Sequence, residues 1–225
     1  MEGAYPRWFY RPSNLSRLFA ASAVAVAGAV KGARRQLSEQ SAPLAGLTAV
    51  FIFAVQMLNF PVAAGTSGHL IGAALAMVLV GPYAATLALV VVLIIQAFLF
   101  ADGGLTALGL SIFNMAVISV WVSFAVFMLL KKILPKTKSW LVVATFVSAL
   151  ISVPAAAVGF VIQYAIGANA TFSVGAVLNA MVGTHILIGI GEAIITALTV
   201  SAVLASRSDL VFGWDKKNTT LEIRS

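Results

Sequence analysis

Apolar runs of bilayer-spanning length constrain this chain more than any other feature. They fall at about residues 15–31, 43–60, 69–81, 83–101, 108–130, 139–166 and 174–205. Several approach the roughly 20 residues that cross a hydrocarbon core. In lipid every backbone polar group needs an internal partner, which leaves helices and closed barrels. The runs lack the alternation of barrel strands, so an all-α membrane protein of about seven helices is expected. Charged residues make up only 9% of the 225 residues, against about 25% in a soluble domain. One transmembrane domain over residues 15–205 is therefore expected, flanked by an external segment at 1–14 and a cytoplasmic tail at 206–225.

The third run decides the topology. It is short, and Gly81-Pro82 separates it sharply from the fourth. If it spans, seven passes place the N-terminus outside and the C-terminus inside; if not, six passes leave both inside. Eleven of the fourteen Lys and Arg lie in the connector at 31–35, the connector at 131–138 and the tail. Both topologies keep those eleven on the cytoplasmic side, so the positive-inside rule does not separate them.

The net charge of +7 is dispersed over these connectors rather than gathered in one patch, which excludes nucleic acid as a partner. No cysteine is present, so disulfides, thiolate metal sites and a cysteine nucleophile are excluded. The start, "MEGAYPRWFYRPSNLSR", lacks the pattern of a cleavable signal peptide. No Walker A pattern occurs, so any ATP that drives this protein must bind another chain. Ala21, Ala25 and Ala29 form a small-residue face that reads either as a packing or partner surface or as plain alanine abundance.

Chemistry concentrates at three places. His69 closes "AAGTSGH", where Gly65 and Gly68 free the backbone and Thr66 and Ser67 offer hydroxyls. A neutral imidazole suits nickel, cobalt, copper or zinc; the bland reading is a capping loop around a hydrogen-bonded histidine. His185 and Glu192, seven residues apart in "THILIGIGEAIIT", lie on one helix face with Gly189 between them. Glu192 reads as a proton carrier, a metal ligand or, preferably, a node joining helices; His185 could stand behind His69 as a supporting group. Asp102, in "FADGGLTALG", reads as a turn residue, and Asn114 and Gln96 as interhelical hydrogen-bonding groups.

Three stretches, "PVAAGTSGHLIGAALAMVLVGPY", "VVLIIQAFLFADGGLTALGLSIFNMA" and "HILIGIGEAIITA", resemble the CbiM/NikM family in order and spacing. These are the substrate-capture membrane subunits of energy-coupling-factor (ECF) importers for cobalt and nickel. The similarity covers about residues 37–205. It implies a bundle like that of ECF substrate-capture subunits with an extra N-terminal helix, in a prokaryotic cell membrane. It further implies a second, coupling membrane subunit, paired ATPase subunits and often a small accessory membrane protein. The cargo is Co(II) or Ni(II), with no permanently bound cofactor and no catalysis by this chain.

In that family the metal lies among nitrogen donors from the N-terminal amine, a second-position histidine and the histidine of the "GH" loop, here His69. Thr66, Ser67, Asp102, Asn114, His185 and Glu192 become supporting residues that orient the loop and the N-terminus. A site shared by both must have them on one side; six passes would place both toward the cytoplasm, which suits uptake poorly, so seven passes with both outside are expected. This chain departs from the family at its start. Met1-Glu2-Gly3 matches the fourth to sixth residues of a Met-His-Ile-Met-Glu-Gly-Phe start, so Met-His-Ile is expected ahead of Met1. The alternative is a variant using the Met1 amine, Glu2 and His69, a harder site with weaker nickel preference. Rival functions are a capture subunit for another small molecule, an intramembrane enzyme using His185 and Glu192 as base and acid, and a scaffold without cargo.

Overall fold

The computed structural model describes residues 11–36, 41–61, 67–100, 104–169 and 172–214. Helices dominate them. The elements are α1 (Pro12–Gln36), α2 (Ser41–Gln56), β1 (Asn59–Pro61), β2 (Ser67–His69), α3 (Ala73–Val80), α4 (Pro82–Ile95), α5 (Gly104–Ser111), α6 (Ser119–Ile133), α7 (Lys138–Gly167) and α8 (Val174–Ser206). A π-helical turn, Gln96–Phe100, extends α4, and another, Ile112–Ile118, fuses α5 to α6. The described residues thus make seven helical passes, as the apolar runs predict, in an all-α membrane bundle.

Five of these helices are long and apolar enough to cross a membrane: Pro12–Arg35, Pro82–Phe100, Gly104–Ile133, Lys138–Gly167 and Val174–Ser206. The second and third passes are not. With 16 and 8 residues, α2 and α3 rise only about 24 and 12 Å against a hydrocarbon core of about 30 Å. A small antiparallel hairpin makes up the difference. β1 follows α2, β2 precedes α3, and Asn59 pairs with His69, Phe60 with Gly68 and Pro61 with Ser67. The run at 69–81, one short apolar segment in the sequence, is therefore the end of a strand, a turn and a short helix.

Two glycines delimit that helix. Gly72 precedes α3 at φ 76° and Gly81 follows it at φ 80°, left-handed values that a side chain resists. Pro82 then opens α4, where its fixed φ suits a first helical position and its missing N–H costs nothing. All eight residues of α3 are buried, among α2, α4, α6, α7 and α8. Lipid tails give helices no hydrophobic reason to associate, so close packing of small side chains must supply the attraction. Ala74, Ala149 and Ala193, all fully buried, meet where α3, α7 and α8 converge.

The first helix is peripheral but held at both ends. The Arg11 N–H donates to the Gly167 carbonyl (3.1 Å), tying the start of α1 to the end of α7. Ser22 donates to the Gly109 carbonyl at 2.7 Å, and a Cβ on Gly109 would stand 2.5 Å from the Phe19 Cα. Near the other end of α1, Gly32 lies beneath the Tyr83 ring.

Candidate metal centre

The β2–α3 junction is irregular backbone inside the bundle, and such backbone survives at membrane depth only where protein satisfies its polar groups. Glu192 on α8 does much of this. Its Oε2 accepts from the Ile71 N–H at 2.6 Å and its Oε1 from the Gly72 N–H at 3.0 Å. The Ile71 carbonyl accepts from Gln56 Nε2 at 2.7 Å, and Gln96 Nε2 donates to Gln56 Oε1 at 2.9 Å. Glu192, Gln56 and Gln96 are each at most 2% exposed. Four passes are thereby pinned to one peptide, two residues beyond His69.

α8 also carries His185 into place. Pro154 on α7 has no N–H, which leaves the Leu150 carbonyl without its helical donor. Gly189 packs against this break, where a Cβ would lie 3.3 Å from the Leu150 oxygen and 3.4 Å from Pro154 Cδ. The two long helices therefore approach closely between the levels of His185 and Glu192.

Both histidines are buried, 5% and 7% exposed, and line one small cleft of about 20 Å³ with Gly68, Ile71, Asn114, Met115, Ala156, Ala157, Phe160 and Met181. His69 Nδ1 lies 2.8 Å from the Leu70 carbonyl, and His185 Nδ1 lies 2.7 Å from that of Met181. A carbonyl can only accept, so each Nδ1 carries a proton, and in the neutral imidazole Nε2 then carries the lone pair. Metal-binding imidazoles are commonly oriented by such a bond from the non-ligating nitrogen. Asn114, on the π turn between α5 and α6, exchanges two hydrogen bonds with Gln163, both 2.9 Å. Such turns recur at functional sites.

Of the residues singled out in the sequence, His69, His185 and Asn114 meet at this cleft, and Glu192 holds its floor. Met1, Thr66, Asp102 and the side chain of Ser67 lie outside the described residues. Gln56 and Gln163 escaped the sequence reading. The signal for each was a lone amide inside an apolar run, the same signal that marked Gln96 and Asn114. Among the described residues no group of three or more His, Cys, Asp or Glu gathers, so a metal held here needs further donors.

Fold and cleft together define a multi-pass helical membrane protein with two imidazoles lining a shared cleft. A family model described as the cobalt uptake substrate-specific transmembrane region matches residues 10–210. A protein of Haloquadratum walsbyi is 37% identical over 209 residues, 92% of each chain. The cobalt transport protein CbiM of Sorangium cellulosum is 32% identical, covering 79% of this chain and 80% of that one. The crystal structure of a transition metal transporter superposes with a TM-score of 0.84 at 26% identity, covering 99% of this chain and 100% of the other. The chain belongs to the CbiM/NikM family of cobalt and nickel transport proteins. The resemblance carried by the three sequence motifs is borne out.

Proposed function

We propose that this chain is the metal-capture membrane subunit of an ATP-driven importer of Ni(II) or Co(II). It takes the ion from the external side and releases it inward when partner subunits move it. The observation that carries this reading is His69, which lines a cleft with its Nδ1 fixed on backbone, leaving Nε2 as the nitrogen for a metal. The basic residues support the orientation: Lys31, Arg34, Arg35, Lys131, Lys132, Lys136, Lys138 and Arg207 all sit at helix ends or connectors remote from that cleft. A cytoplasmic basic end leaves the cleft outside.

Further nitrogen donors come from the segment ahead of α1, beginning with the Met1 amine. A coupling membrane subunit, paired ATPases and a small accessory membrane protein complete the importer. An acid–base enzyme is a poorer fit, since both Glu192 oxygens are already engaged by backbone N–H groups. A larger organic cargo is also a poorer fit, because the cleft is lined mainly by small and aliphatic side chains around two imidazoles.

The test is calorimetric titration of the purified, untagged protein with Ni(II) and with Co(II), using the chain as given, its His69→Ala variant, and a version with Met-His-Ile placed ahead of Met1. His69→Ala should lower affinity at least tenfold, and the extension should raise it. Affinity should also fall on acidification, because nitrogen ligands bind only when deprotonated. Unchanged binding by His69→Ala would remove the reading.

A further inference from the structure

His185 does more in this geometry than stand behind His69. We infer that its Nε2 is itself a donor to the ion, so that the captured metal is held between two imidazoles; this rests on the capture reading above. Three observations converge on it. The two rings are prepared identically, each with Nδ1–H spent on a backbone carbonyl and Nε2 left with its lone pair. Neither Nε2 has a hydrogen-bond partner among the described residues, and neither is sealed off, because both rings border the same cleft.

The spacing between the rings is also fixed by a single element. α8 carries His185, and seven residues on it carries Glu192, whose carboxylate grips the two peptides that follow Leu70. One rigid helix thus sets the positions of both imidazoles, which is what a two-point metal site requires of its scaffold. A histidine that merely filled space would need no such coupling.

The rest of the lining identifies the kind of ion. Met115 and Met181 are among the lining residues, and among the described residues no Asp or Glu borders the cleft. Nitrogen and sulfur donors favour late first-row ions, whereas magnesium and calcium want oxygen ligands. These donors are all neutral, so they do not balance the charge of a dication. The pair therefore holds its ion loosely, as suits a station from which the ion must leave.

The experiment exploits the composition of the chain, whose only two histidines are these. The untagged chain Met1–Ser225, without the Met-His-Ile extension, is loaded in lipid nanodiscs with one equivalent of Cu(II) as a spectroscopic probe, and pulsed EPR counts the imidazoles bound. The wild type should show two coordinated imidazoles, and His185→Ala and His69→Ala one each. Ni(II) affinity should fall at least tenfold in His185→Ala, with the melting temperature recorded as a folding control. A single imidazole in the wild type, retained in His185→Ala and lost in His69→Ala, would overturn the inference and leave the capture reading standing. Cu(II) and Ni(II) bound equally well by His69→Ala would sink both. The wild-type count decides the matter even if a variant fails to fold.

Discussion

The peptide between Ile71 and Gly72 shows how much of this molecule rests on single groups. Its two N–H neighbours share one carboxylate, and Gly72 holds a backbone angle of φ 76° with Ile52 directly alongside. Gly72→Ala should therefore fail twice. The left-handed backbone costs an alanine about 1–2 kcal/mol, and the new Cβ would sit 2.8 Å from Ile52 Cγ1, a buried side chain with little room to yield. A total loss of about 2–3 kcal/mol in reversible unfolding from mixed micelles is expected; a change under about 0.5 kcal/mol, the ordinary range of a neutral substitution, would refute this account. Glu192→Gln tests the other half. A carboxamide offers one oxygen and one NH2 group to two N–H donors, so one bond is lost and two donors face each other. The expected cost is about 1.5–3 kcal/mol, the range for hydrogen bonds to charged groups. Glu192→Asp, which keeps both oxygens but is one methylene too short, should recover only part of it.

At the level of elements, the passes were legible in the sequence, and the inner structure of the third was not. The runs at 83–101, 108–130, 139–166 and 174–205 appear as helices close to those bounds, because lipid demands both length and apolarity. The run at 69–81 satisfied apolarity alone. Hydropathy does not register that its first residues are a strand and turn whose polar groups are satisfied from α2 and α8. The two π turns were equally silent, since an inserted residue leaves composition unchanged. At the cleft, His69 and His185 were legible because ionisable groups are rare in such runs. That they border one cleft was not, because it depends on how α8 is rotated against the hairpin. For the same reason Gln96 was visible as polar while its partner Gln56 was not assigned. This layer carries its own prediction. Gln56→Leu strips a donor from the Ile71 carbonyl and an acceptor from Gln96, whereas Gln96→Leu leaves only the Gln56 oxygen bare. The double variant should therefore cost about 1 kcal/mol less than the sum of the singles, a coupling of the size found for residues in contact. Strict additivity would mean that the two amides do not act together.

Across the whole molecule, seven passes set the two ends apart both chemically and geometrically. The start of α1 meets the end of α7, near the level of the cleft, while the α6–α7 connector and the end of α8 gather at the opposite end with most of the cations. Only Arg11 and Arg17 among the described cations lie at the end where α1 begins. Cytoplasmic retention of Lys and Arg then favours the orientation proposed above, cleft outward. The absence of native cysteine makes this directly measurable. Asn169, an exposed residue just past the end of α7, and Ser139, exposed at the opposite end beside the first residue of that helix, are suitable positions. In intact cells a membrane-impermeant maleimide should label Asn169→Cys, and label Ser139→Cys only after lysis. The two variants report on opposite ends of one helix of 30 residues, about 45 Å long, so they cannot both be accessible from one side of an intact bilayer. The reverse pattern would turn the cleft toward the cytoplasm. His69 would then face metal already inside the cell, and capture for uptake would have to give way to a role in export or storage.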